Sequence, residues 1–487
     1  MDKRPNIIFV MTDDHAAQAM SCYGSEVNQT PNLDRIANEG MRFENCYCTN
    51  SICAPSRAVI LSGMHSHKNG VRVLGERLDR DKMHLPLLLK DSGYQTAMIG
   101  KWHLAGDRLE GHFGEGPGIP RGFDYWNILP GQGEYNNPTM IENGVKKKEK
   151  GYVTDIITDH VLDYLDKRDK ERPFFMMYHH KAPHDPWIYD EKHAHLYEDY
   201  DLPEPLNLFD NYDNRAEAIR MCTQKIGMKH TRYEKETAHL SGDDKKRAQY
   251  QLYMKSYCRT IASVDDNMGR LLDYLDENDL TENTVTIYTS DQGFFLGEHG
   301  LYDKRFMYEE SLRMPFVIRF PKMIKPESVN RDLVQNIDFA QTMLDLAGIQ
   351  APDFMQGESL KPILEGYTPD DWRQSVYYRY WMHLAHFNIP AHIGVRTKDY
   401  KLIYYYGQSY GCKDTFAERT MSEWELFDQN KDPMEMNNVY YDPEYADIIK
   451  DLKVELKKLR VKCDDDDFDF NEHELILKKA FDPNELN

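Results

Sequence analysis

Long apolar runs are missing from this chain of 487 residues. No apolar stretch approaches the ~20 residues that a membrane-spanning helix needs, so no membrane span is expected. Positive charge is also in deficit: Lys and Arg number 60 against 81 Asp and Glu, a formal net charge of -21. A nucleic-acid partner is therefore not expected, because phosphate binding needs a basic face. An anionic ligand would be held by local Lys, Arg or metal and not by the overall field. Cysteine is sparse. Cys22, Cys46, Cys48, Cys53, Cys222, Cys258, Cys412 and Cys463 are scattered, with no Cys-x-x-Cys and no zinc-type Cys/His spacing. That argues against structural zinc and against a disulfide framework in so large a chain. Internal repeats are absent too, and Met1-Asp2-Lys3-Arg4-Pro5 runs straight into a strand pattern and not into a signal-type segment.

What remains is 40% hydrophobic and 29% charged, enough for a large core and, by length, for two or more domains. Short apolar runs recur at 6–11, 96–99, 173–178, 285–289 and 316–320, the pattern of buried parallel strands. Helical patterns lie between them: a segment capped by Thr30 and Pro31 and ending at Gly40, then 85–90, 154–168, the long run 246–278, and 338–348. This alternation predicts an α/β fold, a large and mainly parallel sheet sandwiched by helices. Residues 107–150 are rich in Gly, Pro and charge and predict surface loops with short hairpins; 185–244 reads as a polar insertion. After Pro369 the texture changes. Strand patterns at 376–381, 394–397, 401–406 and 425–428 follow one another without helices, and a helix covers about 445–459. The expected organisation is an N-terminal domain over 1–369 and a smaller α+β subdomain with an antiparallel sheet over 370–487. The acid run Asp464 to Asp467 reads as a solvated segment.

In an open α/β sheet, ligands bind beyond the carboxyl ends of the strands. Four apolar runs end in chemistry-bearing residues: Asp13-Asp14, Lys101-x-His103, His184 with its neighbours, and Asp291-Gln292. Brought together, Asp13, Asp14 and Asp291 would repel one another, and a hard divalent cation resolves that. Gln292 adds an amide oxygen. An all-oxygen donor set favours calcium or magnesium over zinc. Taken alone, Asp13-Asp14 is equally a cap for the segment that follows.

Cys53-Ala54-Pro55-Ser56-Arg57, continuing to Leu61-Ser62-Gly63, is a short polar loop opening a helix. Pro55 suits the first turn and Gly63 ends the segment. A thiol at that end of a helix is expected to have a lowered pKa. The whole string resembles the signature of the type I, formylglycine-dependent sulfatases of the alkaline phosphatase superfamily. Gly100-Lys101-Trp102-His103-Leu104-Ala105 is similar to a second family segment, with Ala105 in place of its final Gly. Lys181-Ala182-Pro183-His184-Asp185-Pro186 is similar to a third, and Lys304 after Gly297-Glu298-His299-Gly300 matches its late lysine. Gly394 to Thr397, Leu402-Ile403, Glu425 to Asp428 and Asp432-Pro433 resemble the C-terminal subdomain.

The resemblance implies an alkaline-phosphatase-like fold, and it implies that a maturation enzyme, formylglycine-generating or anaerobic sulfatase-maturating, converts Cys53 to formylglycine. It places calcium, with magnesium as the alternative, on Asp13, Asp14, Cys53, Asp291 and Gln292, where Gln292 replaces the commoner Asn. Arg57 and His103 would hold the nucleophile, with His103 as its base. Lys101 and Lys304 would neutralise the sulfate oxygens, and His184 would protonate the leaving oxygen. Gly297 to Pro315 looks most like the carbohydrate branch, which includes N-acetylglucosamine-6-sulfatases. The implied substrate is a sulfated glycan, cut in exo fashion at a 6-O- or next a 4-O-sulfated hexosamine or hexose of a glycosaminoglycan, mucin or algal glycan. Trp187, His299 and His392, with Trp381 and His383, are the residues expected to line a sugar pocket, although each is equally an ordinary core or surface residue. Export to the periplasm or exterior is expected, with a cytoplasmic location as the alternative. The competing readings are a phosphonate or phosphate monoester hydrolase of the same superfamily and a non-catalytic glycan-binding protein on the same fold.

Overall fold

A computed structural model describes residues 4–79, 82–104, 119–228 and 232–465. Ala105, the first part of the expected 107–150 loop region, and Asp466 and Asp467 of the acid run lie outside the described residues. Among the described residues no helix is long and apolar enough to cross a membrane.

The first element is strand β1, Asn6–Thr12, buried along its whole length. Its neighbours in the large sheet are β2 (Met41–Phe43), β3 (Gln95–Lys101), β4 (Tyr125–Leu129), β5 (Thr139–Glu142), β6 (Val145–Lys148), β7 (Phe174–His179), β8 (Thr284–Ser290), β9 (Phe316–Arg319) and β10 (Ser328–Asn330). They form one ten-stranded sheet in the order β10-β2-β9-β8-β1-β7-β3-β4-β5-β6. The central strands β8, β1, β7, β3 and β4 are parallel. Strand β9 is antiparallel to β8, and the β4-β5-β6 edge is antiparallel. The sheet is therefore mixed and mainly parallel, as expected. The 107–150 region differs from expectation: it contributes three strands to this sheet, because Tyr125–Leu129 carries apolar residues that pair beside β3.

Both faces of β1 are apolar, which is why the sheet is covered on both sides. Ile7, Phe9 and Met11 face one core; Ile8 and Val10 face the other. On the first side lie α2 (Cys53–Ser62), α3 (Leu85–Asp91) and α6 (Asp338–Leu346), and on the second α1 (Pro31–Asn38), α4 (Val153–Lys167) and α5 (Gly242–Glu277). The stripe Val264, Met268, Leu271 and Leu275 places the long α5 on the sheet and not in a coiled coil. Thr30 was expected to cap α1 but makes no such bond. Asp265 of α5 supplies the cap instead, accepting from the Asn32 and Leu33 N–H groups at 3.0 and 2.9 Å. The 185–244 segment is not simply polar, since Trp187, Tyr197, Leu202 and Leu208 build a core with α5.

The C-terminal part is a separate antiparallel sheet, β11 (Ser375–Tyr380), β12 (His392–Thr397), β13 (Tyr400–Tyr405) and β14 (Glu423–Asp428), covered by α7 (Ala446–Lys462).

Candidate active site

The five parallel strands end on one side, and each hands a polar group to the same place. Asp13 and Asp14 follow β1, Asp291 and Gln292 follow β8, Lys101 and His103 come from the end of β3, and His184 follows β7. Gln132, after β4, was not singled out from sequence. Gly100 lets β3 reach this point, because a Cβ there would collide with the His179 carbonyl oxygen.

Helix α2 brings Cys53 and Arg57 to the same spot. Cys53 is its first residue and is 2% exposed. The Arg57 guanidinium donates to Asp291 Oδ2 from Nε at 3.0 Å and meets it from Nη2 at 2.9 Å. It also donates to the Lys101 carbonyl at 2.8 Å and lies 3.5 Å from Asp13 Oδ2. Lys101 Nζ pairs with Asp13 Oδ2 and donates to Gln132 Oε1. Lys304 Nζ donates to Asp14 Oδ1 at 2.5 Å, and His184 Nε2 lies 3.8 Å from Asp14 Oδ2. Three carboxylates and three cations thus share one buried cluster.

The cluster perturbs its members. Burial raises the Asp13 carboxyl, but Lys101, His184 and Arg57 outweigh it and hold it well below the usual range. Asp14 is pushed up to about 8 by burial, against Lys304, with Asp13 and Asp291 adding to the rise. Asp291 is pushed up to about 6 by burial and Asp13. Burial lowers both His103 and His184 well below their ordinary value, and Lys101 adds to it. The Cys53 thiol departs from expectation. Burial and Asp13 push it up to about 11, overriding the helix terminus. Left as a thiol, it would be a poor nucleophile.

The His103 ring meets Gln132. Gln132 Nε2 meets His103 Nε2 at 3.3 Å, and an amide nitrogen can only donate there. That contact favours the tautomer with the proton on Nδ1, which is buried without a hydrogen-bond partner.

The residues present fit a divalent cation. Asp13 Oδ1 and Gln292 Oε1 are buried without a hydrogen bond, and burial, with neighbouring carboxylates, holds Asp14 and Asp291 above the usual carboxylate range. Asp13, Asp14 and His184 can each place a ligand atom within 4.8 Å of the others. Asp291 stands beside that group with Oδ1 taken by the Asp14 N–H at 3.2 Å and Oδ2 by Arg57.

A cavity of about 480 Å³ opens over Cys53. Trp187, His184 and Lys304 line it, together with residues that sequence reasoning missed: Gln132, Asp185, Arg305, His386 and Phe387. Asp185 and Arg305 neighbour His184 and Lys304 in the chain, a signal that was available; His386 and Phe387 carried none. His299 and His392 are not among the lining residues. His299 is fully buried, with Nδ1 3.0 Å from Asp210 Oδ2, and His392 is packed among Phe306, Tyr378, Tyr380 and Tyr405. Trp381 and His383 are buried outside the cavity wall as well.

Comparison with known proteins accords with this geometry. The Sulfatase family model matches residues 5–349, and the model of the N-sulphoglucosamine sulphohydrolase C-terminal region matches 297–462. The chain is 44% identical to an N-acetylglucosamine-6-O-sulfatase of Bacteroides thetaiotaomicron over 98% of this chain and 90% of that one. It is 30% identical to the N-acetylglucosamine-6-sulfatase of Homo sapiens over 78% of this chain and 67% of the relative. A solved structure of BT4656 in complex with its substrate D-glucosamine-2-N,6-O-disulfate superposes with a TM-score of 0.88 at 43% identity, covering 96% of this chain and all of that one. The phosphonate monoester hydrolase of Agrobacterium radiobacter, at 20% identity and a TM-score of 0.72, shares the fold.

Proposed function

The chain belongs to the sulfatase family and hydrolyses carbohydrate sulfate esters; from that premise we propose that its substrate is a 6-O-sulfated glucosamine at the end of a glycan. The observation that carries this reading is the meeting of Cys53, the Asp13/Asp14/Asp291 carboxylates and the Lys101 and Lys304 ammoniums under one cavity. The 6-O position and the glucosamine ring are supported by the relatives described above.

In this reading Asp13, Asp14, Asp291 and Gln292 would hold a calcium ion, which when bound polarises the ester and the nucleophile. Cys53 is read as formylglycine, whose hydrate supplies an attacking oxygen and a second hydroxyl through which sulfate is later expelled. The other residues of the chain complete the site. Arg57, fixed by Asp291 and the Lys101 carbonyl, orients position 53 from within its own helix turns. His103 donates from Nδ1 toward the nucleophile oxygen. Lys101 and Lys304 face the non-bridging sulfate oxygens, where charge grows in the transition state. His184 stands at the cavity wall with its Nδ1–H held by the Asp185 carbonyl at 2.7 Å, and the negative charge of a bound sulfate ester would favour the charged ring, so that Nε2 carries a proton for the departing sugar oxygen. Trp187 and, from the C-terminal part, His386 and Phe387 bound the space for the sugar.

Two measurements test this. The Cys53 peptide from protein made with a maturation enzyme is expected to be about 18 Da lighter than the cysteine form. That protein is expected to release sulfate from N-acetylglucosamine 6-sulfate in preference to 3-O- and 4-O-sulfated sugars. A modified protein inactive on every 6-O-sulfated sugar would refute the substrate, and a native protein with unmodified Cys53 and full activity would refute the nucleophile.

A further inference from the structure

Asp14 is a non-glycine residue held with φ 71°. Left-handed backbone at an aspartate costs energy and persists only where neighbours enforce it. Here the enforcement comes from α5. The Tyr257 hydroxyl donates to the Asp14 carbonyl at 2.7 Å and accepts from the Ala16 N–H at 2.9 Å. One buried phenol thereby ties both sides of the turn, with its proton and an acceptor site in use. Burial pushes that phenol well above its ordinary value, so it stays a donor.

The ring does a second job. It stacks on Phe294, with centroids 5.7 Å apart and planes 7° from parallel. Phe294 in turn lies 5.7 Å from Lys304 Nζ, and that ammonium holds Asp14 Oδ1 at 2.5 Å. Phe294 is also two residues beyond Gln292, whose amide donates to the same Asp14 oxygen at 2.5 Å. Tyr257 therefore braces the loop after β1 and the loop after β8 at once, from an element that supplies no ligand itself.

We propose that Tyr257 is a positioning residue for the cation site: it sets the left-handed turn that aims the Asp14 carboxylate, and its ring sets the Phe294 shelf beneath Lys304. This rests on the reading that Asp13 and Asp14 hold a divalent ion. Groups of this kind, behind the ligands, change metal affinity by about 10- to 100-fold when removed.

The test uses the full chain stripped of metal with EDTA and calcium as the probe. Tyr257→Phe keeps the ring and the stack and removes the hydroxyl, leaving the Asp14 carbonyl and Ala16 N–H unsatisfied. Its calcium Kd, by titration calorimetry, is expected to rise about 10-fold or more over wild type. Tyr253→Phe is the control. Tyr253 lies one turn earlier, is equally buried, and donates to the Phe295 carbonyl at 2.6 Å without touching Asp14. It is expected to lower Tm while leaving the calcium Kd unchanged. An unchanged Kd in Tyr257→Phe alongside a lowered Tm makes Tyr257 structural only and overturns the proposal. Should that variant not fold, Phe294→Leu removes the shelf and keeps the hydroxyl. A Kd raised about 10-fold supports the proposal and an unaltered one overturns it. Wild-type protein that binds no calcium would sink the cation-site reading and this proposal together, whereas tight wild-type binding with no effect of either variant sinks this proposal alone.

Discussion

Arg57→Gln tests whether the buried cluster is balanced by charge. Without metal, Arg57, Lys101 and Lys304 face Asp13, Asp14 and Asp291. Removing the guanidinium leaves one buried carboxylate in excess, and Asp291 loses its nearest cation. In wild type the Asp291 carboxyl is raised to about 6 by burial and Asp13, from about 3.9 in the unfolded chain. A raised carboxyl stabilises fully only below the unfolded value, and that contribution is lost as pH climbs to the folded value. For wild type the loss is complete by about pH 6. In Arg57→Gln the folded value moves higher, so the loss continues at about 1.4 kcal/mol per pH unit above 6. The expected gap from this source is about zero at pH 5, ~1.4 kcal/mol at pH 7 and ~2.7 kcal/mol at pH 8. A pH-independent ~0.5–1.5 kcal/mol is added for the lost hydrogen bond to the Lys101 carbonyl, which keeps His179 Nδ1 at 3.2 Å. The assay is denaturant unfolding in EDTA at those three pH values. Calcium should narrow the gap by supplying the missing positive charge. A gap that is flat from pH 5 to pH 8, or that shrinks, would refute the charge-balance reasoning.

Three further outcomes are expected. His184→Gln should cut kcat/KM on a sugar 6-sulfate by about 10²- to 10⁴-fold but spare an aryl sulfate, whose phenolate leaves unaided; equal losses on both would remove the proton-donor role. Trp187→Ala should raise KM for the sugar by roughly 2- to 10-fold with little change in kcat, the range for one aromatic contact, and a pure kcat effect would place Trp187 outside sugar binding. Asp265→Ala should destabilise the fold by ~1–2 kcal/mol in denaturant unfolding, the scale of a lost helix cap, with wild-type kcat; no loss would mean that α1 does not depend on the cap lent by α5.

The residues at the strand ends were legible because two local patterns agreed. An apolar run of four to six residues marks a parallel strand, and strand polarity alone says which end carries ligands. Asp13, Lys101, His184 and Asp291 each followed such a run, so their convergence needed no knowledge of distant contacts. Element boundaries within the sheet core likewise fell within a few residues of expectation. What stayed hidden was set by long-range packing. The cap of α1 sits more than 200 residues away in α5, at Asp265. The thiol of Cys53 was expected to acidify at a helix terminus, but burial beside Asp13, an effect without local sequence trace, decided the sign.

The pocket wall shows the same limit most sharply. Histidine and tryptophan are chosen for aromatic cores as readily as for sugar contacts, so residue type does not separate the two uses. Trp187 follows the His184 loop and reaches the cavity. His299 sits two residues beyond Gly297 in a motif-bearing loop, yet a second φ reversal, 54° at His299 itself, turns its ring inward to Asp210. His392 starts a strand of the C-terminal sheet, whose alternation sends it into a stack of tyrosines. His386, with no motif around it, lines the cavity. Chemistry tied to a strand end is fixed by direction along the chain, whereas a contact to the sugar is fixed by which way one turn faces. That difference is why the strand-end residues could be read from residue order and the cavity wall could not, and a change of sugar preference is expected to follow substitutions in the loops 184–187 and 384–388, measured as kcat/KM on a panel of sulfated sugars, before the residues beneath them.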